Sequence, residues 1–290
     1  MNFFKRSIFF GLSFLFLSFN SYADVKTDIK VVTTIKPLYS LISRIMETRG
    51  EPQLIIEGTN NPHTFVFKPS HAKMIEEADI IFWIGEDLEA FMEKPLDSLA
   101  EKAQVISFME LSSIEKLKFR EKNIFDDHDG HEDEHEGHED EDDHGHKDDD
   151  HDDDHDGHED EHEGHDDDHK DAHAHAHGEF DPHIWLDPEN AKEMVKIIRD
   201  ELIKIDPDGQ RQYSVNTAGA TLELDNLINS VEKELSKDIS YIVFHDAYQY
   251  FENRFGVIPA GALTLNPDVL PGAKQIADIQ DVINDKGIKC

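Results

Sequence analysis

Ala78-Asp79-Ile80-Ile81-Phe82-Trp83-Ile84-Gly85 is the stretch on which the fold turns. Its five consecutive apolar residues, 80–84, leave no polar face. That is the pattern of a strand covered on both sides by helices in a parallel sheet. The neighbouring segments agree. Upstream, residues 29–32 form a β-rich run. Pro37 then suits the first turn of a helix whose apolar face is Leu38, Leu41, Ile42, Ile45 and Met46, with Gly50 at its end. Residues 53–56 read as a second strand and 58–63 as a turn-rich loop, and Ser70 is placed to cap a helix reaching Glu77. Downstream, residues 87–102 read as a helix that Pro95 must kink or divide, followed by a strand at 105–108.

Structure is legible again from Phe180. Asp187-Pro188 opens a helix with Ala191, Met194, Val195, Ile198 and Leu202 in period, and Asp206-Pro207-Asp208-Gly209 breaks it. A long helix is expected from Gln210 to Lys237, its apolar positions including Val215, Ala218, Leu222, Leu227, Ile228, Val231 and Leu235. Strand (241–245), helix (248–255), strand (256–263) and helix (273–284) complete the pattern. Strands alternating with helices define an α/β fold with parallel sheets. The expected organisation is two lobes joined by one long helix: an N-terminal lobe at 24–207, a linking helix at 208–237, and a C-terminal lobe at 238–290 that is incomplete.

Residues 1–23 read as an export signal. Lys5 and Arg6 precede an apolar run from Ile8 to Phe19, and Ser21-Tyr22-Ala23 offers a cleavage site. The run is short for a membrane span, which needs about 20 residues. The expectation is a soluble exported protein. Cys290 is the only cysteine, and in an exported chain an odd cysteine implies a missing partner or a free thiol.

The region 126–177 departs from all of this. Its 52 residues hold 15 histidines and 27 Asp or Glu, against Lys147 and Lys170 alone. It carries most of the formal net charge of −36. Such acidity opposes nucleic-acid binding and favours cationic ligands. With no aliphatic or aromatic residues larger than alanine to form a core, the tract is expected to be disordered. Its histidines, among them His131, His135, His138, His151, His155, His158, His173, His175 and His177, are expected to form several weak, multivalent zinc sites.

Only four histidines lie outside the tract: His63, His71, His183 and His245. His71 lies just inside a helix and reads as structural. His63 follows a strand, His245 ends one, and His183 lies where the fold resumes after the tract. In open α/β sheets, ligands gather beyond the carboxyl ends of strands. Three imidazoles suit zinc better than the oxygen-preferring manganese, magnesium or calcium, and leave a fourth position for water or a carboxylate. Asp181, Asp187 and Asp246 are the nearby acceptors for the second ring N–H of each ligand. Spacing alone leaves other readings open. One is a zinc hydrolase, which would need a general base although no HExxH helix is present. Another is a zinc buffer carried by the tract.

Four segments carry a resemblance. They are Asn61-Pro62-His63 with Lys68-Pro69-Ser70; residues 78–85 with Leu88-Glu89-Ala90-Phe91; Asp181-Pro182-His183-Ile184-Trp185-Leu186-Asp187-Pro188; and Val243-Phe244-His245-Asp246-Ala247-Tyr248 with Tyr250-Phe251. Together with Asn266-Pro267 and Pro271-Gly272-Ala273 they resemble the ZnuA family, the periplasmic zinc-binding proteins of bacterial ABC transporters. The likeness runs from about residue 28 to 290, apart from the tract, and the family carries a His/Asp/Glu-rich insertion at the same place. It implies two lobes joined by a rigid helix, with metal in the cleft between them. It assigns His63, His183 and His245 as the Zn²⁺ ligands, the metal being cargo and not a catalytic cofactor. Related manganese binders carry a carboxylate in place of His245. It also implies a monomer working with a membrane permease and its cytoplasmic ATPase, and with periplasmic zinc chaperones, but not with nucleic acid. Finally, it implies a disulfide for Cys290, whose partner and a further cleft aspartate would lie beyond this sequence.

Overall fold

The computed structural model describes residues 28–125, 178–267 and 269–289. The export signal, the His-rich tract and Cys290 lie outside the described residues. Two compact units emerge. The first contains residues 28–114 and 188–230; the second contains 115–125, 178–187 and 231–289.

The first unit is built on a four-stranded, wholly parallel sheet. Its strands are β1 (Val31–Thr33), β2 (Gln53–Leu54), β3 (Ile80–Trp83) and β4 (Gln104–Ser107), in the order β2-β1-β3-β4. All four residues of β3 are buried, as its apolar run requires. Helix α1 (Lys36–Met46) begins with a proline in its first turn and buries Leu38, Ile42, Ile45 and Met46. Each such side chain is worth about 1.5–3 kcal/mol of burial. Helix α2 (Pro69–Glu77) starts two residues earlier than a Ser70 cap would dictate, with Lys68 at the capping position. Its N-terminus is closed by His71, whose Nδ1 accepts the Lys68 N–H at 3.1 Å, and whose ring packs against Phe65 and Phe67. His71 is therefore a structural histidine.

The helix expected at 87–102 is divided into α3 (Glu86–Glu89), a 3-10 turn at Ala90–Met92, and α4 (Glu93–Leu99). The division falls before Pro95, which occupies the first turn of α4, where its missing N–H removes no intrahelical bond. Helix α5 (Pro188–Ile205) buries the five apolar residues read from its period. Helix α6 (Gln210–Glu234) is the longest element, and the division between units falls within it, after Ser230. Its apolar pattern misleads: Val215, Leu222 and Leu227 are exposed, while Tyr213, Asn216, Thr217 and Ala220 are buried. A polar contact anchors this face, for Asn216 Nδ2 donates to the Ile45 carbonyl at 2.8 Å.

The second unit holds β5 (Ile242–His245), α7 (Gln249–Phe255), β6 (Gly261–Thr264) and α8 (Ala273–Lys286). Strands β5 and β6 pair in parallel. Gly256, at φ +64°, supplies the left-handed residue that ends α7. Both flanks of the tract belong here, and not to an N-terminal lobe ending at residue 207. Lys118 bridges Phe180 in antiparallel fashion, and Ile124 bridges Gly261. The Asp181 N–H donates to the Leu117 carbonyl at 2.8 Å, and the Phe125 N–H to the Ala260 carbonyl at 3.1 Å. Gly261 permits this approach, because a Cβ there would lie 2.5 Å from the Asn123 carbonyl oxygen. No strand periodicity marks these flanks, since single backbone bridges impose no alternation on the sequence.

Candidate metal centre

His183 and His245 meet within the second unit. Their ring centroids are 5.0 Å apart, inclined at 66°. His245 is the last residue of β5, so its position at the strand's carboxyl end is the one read from the sequence. The segment bearing His183 forms a 3-10 turn, Ile184–Leu186, and not a strand. Pro182 and Pro188 bracket that turn and withhold two of the N–H donors a ladder would use.

His183 is buried and oriented by Asp181. The ring Nδ1 lies 2.6 Å from Asp181 Oδ1, and the His183 backbone N–H reaches the same oxygen at 2.9 Å. A carboxylate oxygen accepts the Nδ1–H, so Nε2 is the ring nitrogen that a metal would take. Asp181 is itself held at both ends: its N–H donates to Leu117, and its carbonyl accepts from the Tyr250 hydroxyl at 2.6 Å. His245 is held neutral. Burial, and then the neighbouring His183, push its pKa down to about 4, with Asp181 opposing. His245 is thus presented as a neutral donor beside a His183 ring oriented by Asp181.

The other two expected acceptors are engaged elsewhere. Arg254 grips Asp187 through two bonds, of 2.7 and 2.6 Å. Arg120 Nη1 lies 2.6 Å from Asp246 Oδ1. Burial pushes the Asp246 carboxyl up, with Arg120 opposing and the nearby Asp181 adding to the rise. Of the three aspartates, Asp181 is the one seen to hold a ring nitrogen of the pair. An apolar hollow of about 480 Å³ in the same unit, lined by residues including Tyr241, Val243, Phe244 and Phe251, contains neither histidine. Chemistry and not volume locates the site.

In the first unit, His63 lies half-buried on the loop after β2. Its backbone N–H donates to Asn61 Oδ1 at 3.0 Å, and Asn60 Nδ2 donates to the Glu57 carbonyl at 2.6 Å, so two asparagines shape the loop. The tract histidines lie outside the described residues.

Glu89 is a residue whose environment the sequence did not reveal. It is fully buried, and Oε2 accepts from the Ile84 and Gly85 N–H groups at 2.9 and 3.3 Å. Burial raises its pKa to about 7, against the opposing Gly85 and Ile84 N–H groups. A carboxylate with a raised folded pKa weakens the fold as pH climbs from the ordinary carboxylate range through about 7. Glu89→Gln is therefore expected to match the parent near pH 4 and to exceed it by about 2–3 kcal/mol at pH 8. Urea denaturation at the two pH values checks this, and an equal difference at both would show that ionisation is irrelevant.

Two imidazoles, one fixed by a buried carboxylate, form a candidate metal-binding arrangement. The comparisons with known proteins agree. The family model described as "Zinc-uptake complex component A periplasmic" (ZnuA) matches residues 31–290. The high-affinity zinc uptake system protein ZnuA of Brucella abortus is 44% identical over 262 residues, covering 90% of this chain and 75% of the relative. That of Haemophilus influenzae is 37% identical over 270 residues, covering 92% and 78%. A ZnuA crystal structure superposes with a TM-score of 0.63 at 19% identity, covering 90% of this chain and 80% of the other. The chain belongs to the ZnuA family, whose members are periplasmic transport components and not enzymes. Among the described residues, no helix is long and apolar enough to cross a membrane.

Proposed function

We propose that this protein captures Zn²⁺ with high affinity in the periplasm and delivers it to an ABC-type permease for import. The observation that carries the reading is the Asp181–His183–His245 arrangement: two imidazoles with ring centroids 5.0 Å apart, one oriented by a buried carboxylate. Imidazole donors favour zinc over manganese. The zinc-uptake relatives support the same metal. In this reading His63 joins His183 and His245 as the third ligand, and the metal is cargo. The tract at 126–177 serves as an auxiliary array of weak zinc sites that raises the local metal concentration.

A zinc titration against a competing chelator, using protein that lacks residues 126–177, tests both parts. One tight site, abolished by His63→Ala, is expected. Loss of all tight binding on removing the tract would instead make the tract the functional element. The two classes should also part on acidification. Tract imidazoles with an ordinary pKa of about 6.5 should lose zinc below about pH 6. The site containing His245, whose proton affinity is depressed to a pKa of about 4, should hold metal to lower pH. Coincident release midpoints would contradict the distinction.

A further inference from the structure

Asp246 directly follows His245, and its carboxylate is almost completely buried. A carboxylate in such a place needs a cation. Arg120 supplies it, 2.6 Å from Asp246 Oδ1, while the other guanidinium nitrogen lies 2.9 Å from Glu252 Oε2. The guanidinium also lies over the Phe125 ring at 4.4 Å, and the Tyr241 hydroxyl donates to Glu252 Oε1 at 2.9 Å. Arg120 is thus fixed by two carboxylates and a ring, all within the second unit. The Asp246 N–H is tied to the Thr264 carbonyl at 3.1 Å, which anchors its backbone to β6.

We propose that Arg120 is a specificity-determining positioning residue: by holding the Asp246 carboxylate, it keeps a hard oxygen donor out of the metal's coordination shell beside His245. The inference rests on the reading of His183 and His245 as zinc ligands. Carboxylate oxygen suits manganese, whereas imidazole suits zinc. An Asp246 released from Arg120 is drawn toward a divalent cation at His245 and shifts the donor set toward manganese. Arg120 touches no metal and acts through Asp246.

The test uses the full-length protein, with Zn²⁺ and Mn²⁺ affinities measured by chelator competition and the visible spectrum of bound Co²⁺ as a coordination signature. Arg120→Met combined with Glu252→Gln removes the clamp without stranding a charge on α7. The zinc-to-manganese preference is expected to fall about tenfold or more, and the Co²⁺ bands to weaken as an oxygen ligand is added. Adding Asp246→Asn should restore the preference. Asp246→Asn alone, which keeps Arg120 in place and leaves fewer groups disturbed, should leave the preference unchanged. An unaltered preference in the double variant overturns the proposal. So does a loss that Asp246→Asn fails to rescue, or a changed preference in Asp246→Asn alone. Absence of tight zinc binding in the parent protein would sink the zinc-ligand reading itself, which is a separate outcome.

Discussion

His183→Ala is expected to lower the affinity of the tight zinc site roughly a hundred- to a thousandfold. Structural zinc sites bind with about 10–16 kcal/mol shared over four ligands, so one ligand carries about 2.5–4 kcal/mol. Asp181→Asn should cost less, about 10–100-fold, because the amide oxygen can still accept from Nδ1 but no longer carries the charge that raises ligand basicity. The side chain at 181 is buried, with its backbone tied to Leu117 and Tyr250, so asparagine has no room to adopt another pose. Chelator competition at fixed pH ranks parent, Asp181→Asn and His183→Ala. If Asp181→Asn binds zinc as the parent does, the carboxylate is a packing partner and the tautomer argument fails.

The largest expected effect on stability lies in the first unit, at Arg49. Its guanidinium meets Asp206 in a bidentate pair, with bonds of 2.7 to 2.9 Å, and the side chains are only 9% and 10% exposed. The Tyr213 hydroxyl adds a bond of 2.6 Å to Asp206 Oδ2. Arg49→Met leaves that carboxylate buried with a single neutral partner, and about 3–5 kcal/mol of stability should be lost. Against a total of about 5–15 kcal/mol, this brings the fold close to its threshold. Replacing Asp206 by leucine in the same protein should recover most of the loss, since a buried pair exchanged for apolar groups is often neutral. Urea midpoints at constant slope measure both variants. A single variant within about 1 kcal/mol of the parent would mean that water reaches Asp206.

The parts of this molecule that were legible in its sequence share a cause. Residues 80–84 are apolar because both sheet faces are covered, and the α5 positions are periodic because one helix face is buried. Burial of that kind writes a pattern over many residues. His63, His183 and His245 were legible as candidates because histidine is scarce outside the tract. What stayed hidden was decided by single partners. Asp181, Asp187 and Asp246 looked equivalent, yet Arg254 and Arg120 claim two of them from far along the chain. Val215 and Leu222 looked like core, yet α6 buries Asn216 because the Ile45 carbonyl needs a donor. The expected boundary at residue 207 missed the flanks of the tract, which join the second unit through isolated bridges and one glycine.

Those flanks have an evolutionary and practical consequence. Residues 115–125 and 178–187 pair with each other and with the same unit, so the two flanks of the tract are held side by side. None of the described pairings counts how many residues lie between. The segment can be lengthened, shortened or recomposed without altering the described contacts of His183 and His245. The paired flanks are therefore a junction at which inserted sequence can be exchanged without redrawing those pairings.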